Sequence, residues 1–147
     1  MPKNTNTKEP ETEAIVNTIL KLDGGLKTYP IRDLVEHAEK FGPFLKRQRL
    51  ETNQVRKFLD AINRLKTTLA QDDREGKTDE QRFATIETEV VLLKPKLAYA
   101  AARQKAAKPL SDVMSVAIDK VRSTEDFERL VQLVESIIAY HKAEGGK

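Results

Sequence analysis

The sequence contains no cysteine and no tryptophan, and its aromatic side chains number only three tyrosines and five phenylalanines among 147 residues. The absence of cysteine excludes a disulfide framework and any thiolate metal site. Because aromatic side chains are scarce, the hydrophobic core must be built mainly from aliphatic residues and alanine. No apolar run approaches the roughly 20 residues that a membrane span needs, and the polar N-terminus does not resemble a signal peptide. We therefore expect a cytoplasmic protein that does not associate with membranes.

The sequence also lacks the short motifs that accompany common active sites. It has no glycine-rich phosphate loop, no HExxH zinc motif, no cysteine nucleophile and no GxSxG elbow. His37 and His141 lie in different predicted helices, and we interpret both as amphipathic residues at the edge of the core. Asp72 and Asp73 are interpreted as part of a solvated connection. The prediction is a protein that is not an enzyme and needs no metal or cofactor, and only a site assembled from distant acids would contradict it.

Glycine and proline are also scarce, at six residues each, while charged residues make up 33% of the chain. Apolar residues recur with a helical period along most of the sequence, and no stretch alternates convincingly with period two. A chain of this length fits one domain. We predict an all-α fold, a compact single-domain bundle of five to six helices. Residues 1–11 are expected to form a disordered tail and residues 12–147 the single helical domain.

Capping residues and prolines predict where the helices begin and end. Three N-terminal caps are expected, at Thr52, at Thr78 with Gln81 as a capping box, and at Ser123 with Asp126. Proline at a first helical position is expected at Pro30 and Pro109. Gly42-Pro43 should end or kink the second helix, Pro95 should start a new helix or kink the old one, and the polar run 71–77 should be a connection.

Positive charge is distributed unevenly, although the net charge is only +3. No acid occurs between Glu89 and Asp112, and this window carries five cations: Lys94, Lys96, Arg103, Lys105 and Lys108. A second basic region, residues 45–66, has only two acids and seven cations: Lys46, Arg47, Arg49, Arg56, Lys57, Arg64 and Lys66. Because acids stabilise a helix N-terminus and cations do not, the basic residues around Thr52 cost some stability and call for a functional reason.

A helical projection of the acid-free window separates an apolar seam from a polar stripe. At 100° per residue the seam consists of Leu93, Leu97, Ala100 and Gln104. The neighbouring stripe consists of Lys96, Tyr99 and Arg103. Two cations and an aromatic ring would suit phosphates and an unstacked base. A plain solvated surface explains the same charges equally well, and a tyrosine such as Tyr99 is more usually a core residue.

Three motifs occur in a specific order along the chain. They are LETNQVRKFLDAI (residues 50–62), LLKPKLAYAAAR (residues 92–103) and FERLVQLVESIIAYHKAEGG (residues 127–146). Over about residues 29–146 the sequence resembles the small subunit of type III-A CRISPR effector (Csm) complexes. The resemblance implies a non-catalytic, all-helical subunit that binds crRNA and target RNA. It further implies that this subunit contacts the backbone and large subunits of the complex. It also implies self-association, with several copies stacking along the filament, and a homodimer is a plausible free form.

Carried onto this chain, the resemblance implies a set of RNA-binding residues. The basic loop and the following helix start contribute Lys46, Arg47, Arg49, Thr52, Gln54, Arg56 and Lys57. The second motif and the residues after it contribute Lys94, Lys96, Arg103 and Lys105. Contacts from such residues to phosphates give affinity without reading the bases, which a subunit that serves any guide sequence requires. Arg56 and Arg103 could instead pair with acids inside the bundle.

Two other functions remain consistent with the same residues. The first is a helical protein–protein assembly module without direct RNA contact, in which basic surfaces meet acidic neighbours. The second is a helix-turn-helix DNA-binding regulator that uses residues 52–66 as its recognition helix.

Overall fold

The computed structural model describes residues 9–144, apart from the side chains of residues 73 and 74. Within this range the chain forms six α-helices and two short 3₁₀ turns, and no residue lies in a strand. The helices are α1 (Pro10–Leu20), α2 (Ile31–Arg47), α3 (Thr52–Arg74), α4 (Asp79–Arg103), α5 (Lys108–Asp119) and α6 (Thr124–Ala143). The predicted all-α bundle is confirmed, with six helices. No helix in the described part of the chain is long and apolar enough to cross a membrane.

Helix α6 lies at the centre of the bundle and contacts α2, α3 and α4. Helix α5 packs between α1 and α4, and α3 packs along α4. The core is aliphatic, as the composition requires, and only three aromatic residues are among its largest fully buried side chains: Tyr29, Phe41 and Phe127.

Two of the three expected caps are confirmed. Thr78 and Gln81 form a complete capping box, in which each backbone N–H donates to the side-chain oxygen of the other residue, at 2.9 and 3.2 Å. The Ser123 hydroxyl oxygen accepts a hydrogen bond from the Asp126 N–H at 3.1 Å. The cap at Thr52 is wrong by one residue, because Thr52 is already helical and the Glu51 carbonyl accepts the first bonds of α3.

Three other boundaries differ from the expectation. Pro30 precedes the first residue of α2 instead of occupying it. Helix α1 begins at Pro10, so the last two residues of the expected tail are helical, while residues 1–8 lie outside the described residues. Helix α3 continues to Arg74, and Gly76, with φ of 77°, follows it in the left-handed conformation that commonly terminates helices. Asp72 is accordingly not a solvated loop residue but a buried helical one, which pairs with Lys77 at 3.3 Å.

Neither internal proline ends its helix. Pro43 lies inside α2 and Pro95 inside α4, so both helices run through the positions where a break was an open alternative. A proline in a helix interior removes one hydrogen bond and costs roughly 3 kcal/mol. Helix α2 packs on α6, and α4 packs on α3 and α5. This tertiary packing outweighs the cost of the two prolines.

Gly42 lies where the backbones of α2 and α6 come into contact. A Cβ atom added at Gly42 would lie 2.6 Å from the backbone nitrogen of His141 and 2.8 Å from the carbonyl oxygen of Ile137. These distances are shorter than any van der Waals contact, and both neighbouring atoms belong to the backbone. The close packing of α2 on α6 therefore depends on the absence of a side chain at this position.

Tyr29 and His37 form a polar contact at the start of α2. The buried Tyr29 hydroxyl is hydrogen-bonded to Nδ1 of His37 at 2.6 Å. Burial raises the pKa of Tyr29 above its ordinary value, and the charge of Asp33 adds to this effect. Burial also lowers the pKa of His37, against the opposing effect of Asp33. Both shifts preserve the neutral hydrogen-bonded pair near neutral pH.

The variant Gly42→Ala tests the contact between α2 and α6. Helix propensity alone predicts that alanine stabilises an interior helical position by about 1 kcal/mol. The backbone contact predicts the opposite sign, a loss of about 1–3 kcal/mol, because α2 must move away from α6 to make room for the methyl group. Urea unfolding followed by circular dichroism measures the free energy of unfolding. A variant more stable than the parent protein would show that the two backbones do not touch.

The Tyr29–His37 pair predicts a dependence of stability on pH. Because the pKa of His37 is lower in the folded protein than in the unfolded chain, the unfolded chain binds the proton first as pH falls. Stability is therefore full above about pH 6.5 and declines as pH falls from there toward the lowered pKa. The variant His37→Asn keeps a hydrogen-bonding side chain beside Tyr29 but does not titrate. We expect a smaller loss of unfolding free energy between pH 7.5 and 5.5 for this variant, and an equal loss would contradict the assignment.

Candidate nucleic-acid interface

Helices α3 and α4 lie side by side and leave an open groove of about 500 Å³ between them. Buried side chains form its floor: Leu50, Phe58, Leu93, Leu97, Ala107 and Leu110. Its rim is formed by Gln54, Lys57, Ala61 and Arg64 on the α3 side and by Lys96, Tyr99, Ala100, Arg103 and Gln104 on the α4 side. No aspartate or glutamate occurs among these lining residues. We call this feature the α3–α4 groove.

Helical spacing explains why these residues share one groove. On α3 the rim positions 54, 57, 61 and 64 follow one another at intervals of three or four residues. On α4 the positions 93, 97 and 100 form one such series and the positions 96, 99 and 103 form a second. Intervals of three and four residues place side chains on one side of a helix. Leu93 and Leu97 of the predicted seam therefore form part of the floor, whereas Ala100 and Gln104 are exposed and lie at the rim with the predicted stripe.

The cations at the rim are not neutralised by carboxylates. Among the residues that the structure describes, no side-chain hydrogen bond or ion pair involves Lys57, Arg64 or Lys96. Some other surface cations of the same helices are paired, as Lys66 is with Glu135 at 3.2 Å. Unpaired cations that converge on a groove without acids produce a local positive potential. The groove is therefore suited to an anionic ligand.

Tyr99 and Arg103 form a defined pair at one side of the groove. Tyr99 is 64% exposed, which contradicts its interpretation as a core residue. The reason is that the adjacent apolar seam, and not the stripe containing Tyr99, packs toward α3. The Arg103 guanidinium donates to the Tyr99 hydroxyl at 3.1 Å and lies 5.7 Å from the centre of its ring. Arg103 thus contacts an aromatic side chain and not an acid of the bundle, which decides the alternative left open for it.

The structure brings four of the predicted RNA-binding residues into the groove, two from each basic region: Gln54, Lys57, Lys96 and Arg103. Sequence reasoning omitted Arg64 and Tyr99 from the predicted set. The spacing of Arg64, seven residues after Lys57 on the same side of α3, is the feature that could have identified it.

The other predicted residues lie outside the groove. Lys94 pairs with Asp119 of α5 at 2.5 Å, so its charge is neutralised by a carboxylate of the same protein. Arg47 pairs with Glu11 of α1 at 3.3 Å. Lys46 lies in the last turn of α2, Thr52 and Arg56 lie at the start of α3, and Lys105 lies just after α4. Arg56 is exposed and forms no ion pair within residues 9–144.

Arg49 occupies a strained position in the turn before α3. The Leu50 N–H bonds to the Leu45 carbonyl at 3.0 Å, and the Arg49 N–H bonds to the Lys46 carbonyl at 2.9 Å. This pattern is a Schellman motif, whose left-handed residue is usually glycine. Here that residue is Arg49, with φ of 71°, a conformation that costs an L-residue roughly 1–2 kcal/mol. An exposed arginine is therefore present where the backbone favours glycine.

His141 fixes the end of this turn from within the core. Its Nε2 donates to the Leu50 carbonyl at 2.8 Å, so the proton of the imidazole lies on Nε2. The side chain is fully buried, which corrects its interpretation as a residue at the core edge. His141 is buried behind the turn because Gly42, which has no side chain, allows α6 to approach α2 closely. Leu50 lines the groove, so this hydrogen bond positions one end of the groove.

The fold and the groove together define a class: a small all-α protein with an acid-free basic groove between two neighbouring helices. A family model described as Csm2 type III-A matches residues 28–147. The CRISPR system Cms protein Csm2 of Streptococcus thermophilus is 27% identical over 100 residues, which is 67% of this chain and 75% of that protein. The comparison with solved structures gave no significant match. The chain therefore belongs to the Csm2 family and is a small subunit of a type III-A CRISPR effector complex.

Two substitutions at Arg49 separate its backbone cost from its charge. Arg49→Gly and Arg49→Ala both remove the guanidinium, but only glycine adopts positive φ freely. We expect the glycine variant to be more stable than the alanine variant by about 1 kcal/mol, as measured by urea unfolding. Equal stability of the two variants, or a more stable alanine variant, would show that the turn does not impose positive φ in solution.

Proposed function

We propose that this small subunit is a non-catalytic RNA-binding protein of the cytoplasm that binds without sequence preference. In the effector complex, which takes part in antiviral defence, several copies stack along the filament and support the crRNA–target RNA duplex through its phosphates. The observation that carries this proposal is the α3–α4 groove, where unpaired cations converge in the absence of any lining acid.

Phosphate contacts explain the chemistry of the groove rim. Lys and Arg side chains that contact phosphates release counterions and give affinity that does not depend on base sequence. Lys57 lines the groove from α3 and Lys96 lines it from α4, so a nucleic-acid backbone lying along it would meet cations from both helices. A subunit that functions with every guide sequence requires this kind of contact.

The basic turn before α3 extends the proposed RNA surface beyond the groove. Arg49 is exposed and adjacent in sequence to Leu50, which lines the groove. Lys46 precedes it in the last turn of α2, and Lys105 follows α4 at the end of the same groove. Lys94 is the least suited of the predicted residues, because Asp119 already neutralises it.

An assembly module without direct RNA contact remains the second candidate, and a specific observation favours it. The outer side of α4 exposes Val91 at 49% and Leu92 at 43%, next to the exposed residues Pro95 and Ala98. Adjacent exposed apolar residues are typical of protein contacts. In the complex this surface would meet another copy of the subunit or one of the backbone or large subunits, and such protein contacts are compatible with RNA binding in the groove.

Neutralising the rim of the groove tests the proposed RNA contact. In the triple variant Lys57→Gln, Lys96→Gln and Arg103→Gln, three cations are lost, and each phosphate contact contributes roughly −0.7 to the slope of log affinity against log salt for a single strand. We therefore expect the slope to become shallower by about 2, with weaker binding to unstructured RNAs of any sequence. Fluorescence anisotropy of labelled oligonucleotides across a salt series provides the measurement.

The matched control is Lys66→Gln, which removes a cation from the same helix outside the groove, where Glu135 pairs with it. This variant should leave the salt slope unchanged. If the triple variant bound RNA like the parent protein, the groove would not be the RNA site. The assembly-module function would then be favoured if Val91→Asp, and not the rim variant, prevented incorporation into the complex.

A further inference from the structure

Phosphate binding explains the rim of the α3–α4 groove but not its floor. Contacts to phosphates need cations on an exposed surface, whereas the floor consists of buried apolar side chains such as Phe58, Leu93 and Leu97. The bases of an RNA duplex are stacked and paired, so a duplex offers the protein mainly phosphates and sugar hydroxyls. An apolar floor has nothing to contact in such a ligand. An unpaired base, by contrast, has an apolar face.

The geometry of Tyr99 agrees with this distinction. Its ring is mostly exposed at the groove rim, and the Arg103 guanidinium both lies over the ring and donates to its hydroxyl. The hydrogen bond restricts rotation of the ring, so the pair presents a fixed planar surface. Aromatic rings and arginine planes are the groups on which proteins stack unpaired bases.

The size and the polar groups of the groove also fit one nucleotide. Its volume of about 500 Å³ lies within the range of sites that hold small organic ligands. Gln104 contributes an amide at the rim that can both donate to and accept from the edge of a base, and the Gln54 amide contributes N–H donors, since its oxygen accepts from the Glu51 N–H at 3.3 Å. Lys57 and Lys96 are available for the flanking phosphates.

We propose that the α3–α4 groove binds a single unpaired nucleobase, which stacks on the Tyr99–Arg103 pair above the apolar floor while the neighbouring phosphates contact the rim cations. This inference rests on the proposed RNA-binding function and specifies its ligand: a strand with at least one base out of the duplex stack. Stacking accepts every base, so the groove combines base contact with independence from sequence.

The experiment compares two single-stranded probes that carry the same phosphates, a short unstructured RNA and an oligomer of the same length with abasic residues. We expect the parent protein to bind the base-bearing RNA more tightly than the abasic strand. In Tyr99→Ala this preference should disappear, because affinity for the base-bearing RNA falls by roughly 5- to 100-fold while affinity for the abasic strand stays constant. Tyr99→Phe retains a ring and should keep most of the preference.

Two controls separate stacking from other effects. Tyr99 is exposed, so its replacement should leave the unfolding midpoint unchanged, and Val91→Ala removes an exposed apolar side chain of α4 from outside the groove. A 2-aminopurine base placed in the RNA should show quenched fluorescence when the parent protein binds, and less quenching with Tyr99→Ala.

The outcomes distinguish this inference from the proposed function. Equal affinity of the parent protein for both probes, together with no effect of Tyr99→Ala, would overturn the nucleobase site and leave phosphate binding intact. Failure to bind either probe would overturn the proposed function itself. If Tyr99→Ala instead abolished the capture of purified Csm subunits in the absence of RNA, the groove would hold a protein side chain, and the inference would be wrong.

Discussion

The contact between the backbones of α2 and α6 at Gly42 determines the arrangement of the rest of the bundle. Because no side chain separates the two helices there, the last turns of α6 pass directly behind the end of α2. His141 then lies inside the core, where it reaches the Leu50 carbonyl. This single hydrogen bond connects the central helix pair to the turn that starts α3. The position of α3 relative to α4, and with it the groove, depends on this chain of contacts.

The fold also divides the basic residues into two groups that composition alone cannot separate. Some cations stabilise the bundle: Lys94 pairs with Asp119 and joins α4 to α5, and Arg47 pairs with Glu11 and joins the end of α2 to α1. Others, such as Lys57 and Lys96, have no acid within reach in the described part of the chain. In a protein with a net charge of only +3, this separation, and not the total charge, is what makes one surface attractive to an anion.

Local patterns predicted the helices well because the period of apolar residues and the caps are properties of neighbouring residues. The stripe of α4 and the buried half of its seam, Leu93 and Leu97, were correct for the same reason, although the sequence left the effect of Pro95 open. The features that the sequence did not reveal involve residues distant in sequence. The partner of Lys94, Asp119, lies on another helix, and Gly42 was expected to end or kink its helix because its neighbour, His141, is 99 residues away. Such pairings arise only when helices pack, and one sequence contains no direct record of them.

Two local costs in stability occur at the same end of the groove. Arg49 adopts positive φ in a turn that favours glycine, and the first turn of α3 contains no acid to interact with the helix dipole. Neither feature improves packing, because Arg49 is exposed and the first turn of α3 lies at the surface. Glu51 lies at the N-cap of α3, and an acid within the first turn would stabilise the helix further but would also neutralise the cations beside the groove. Under the proposed function both costs have one physical explanation: the surface remains positive where an anionic ligand would enter.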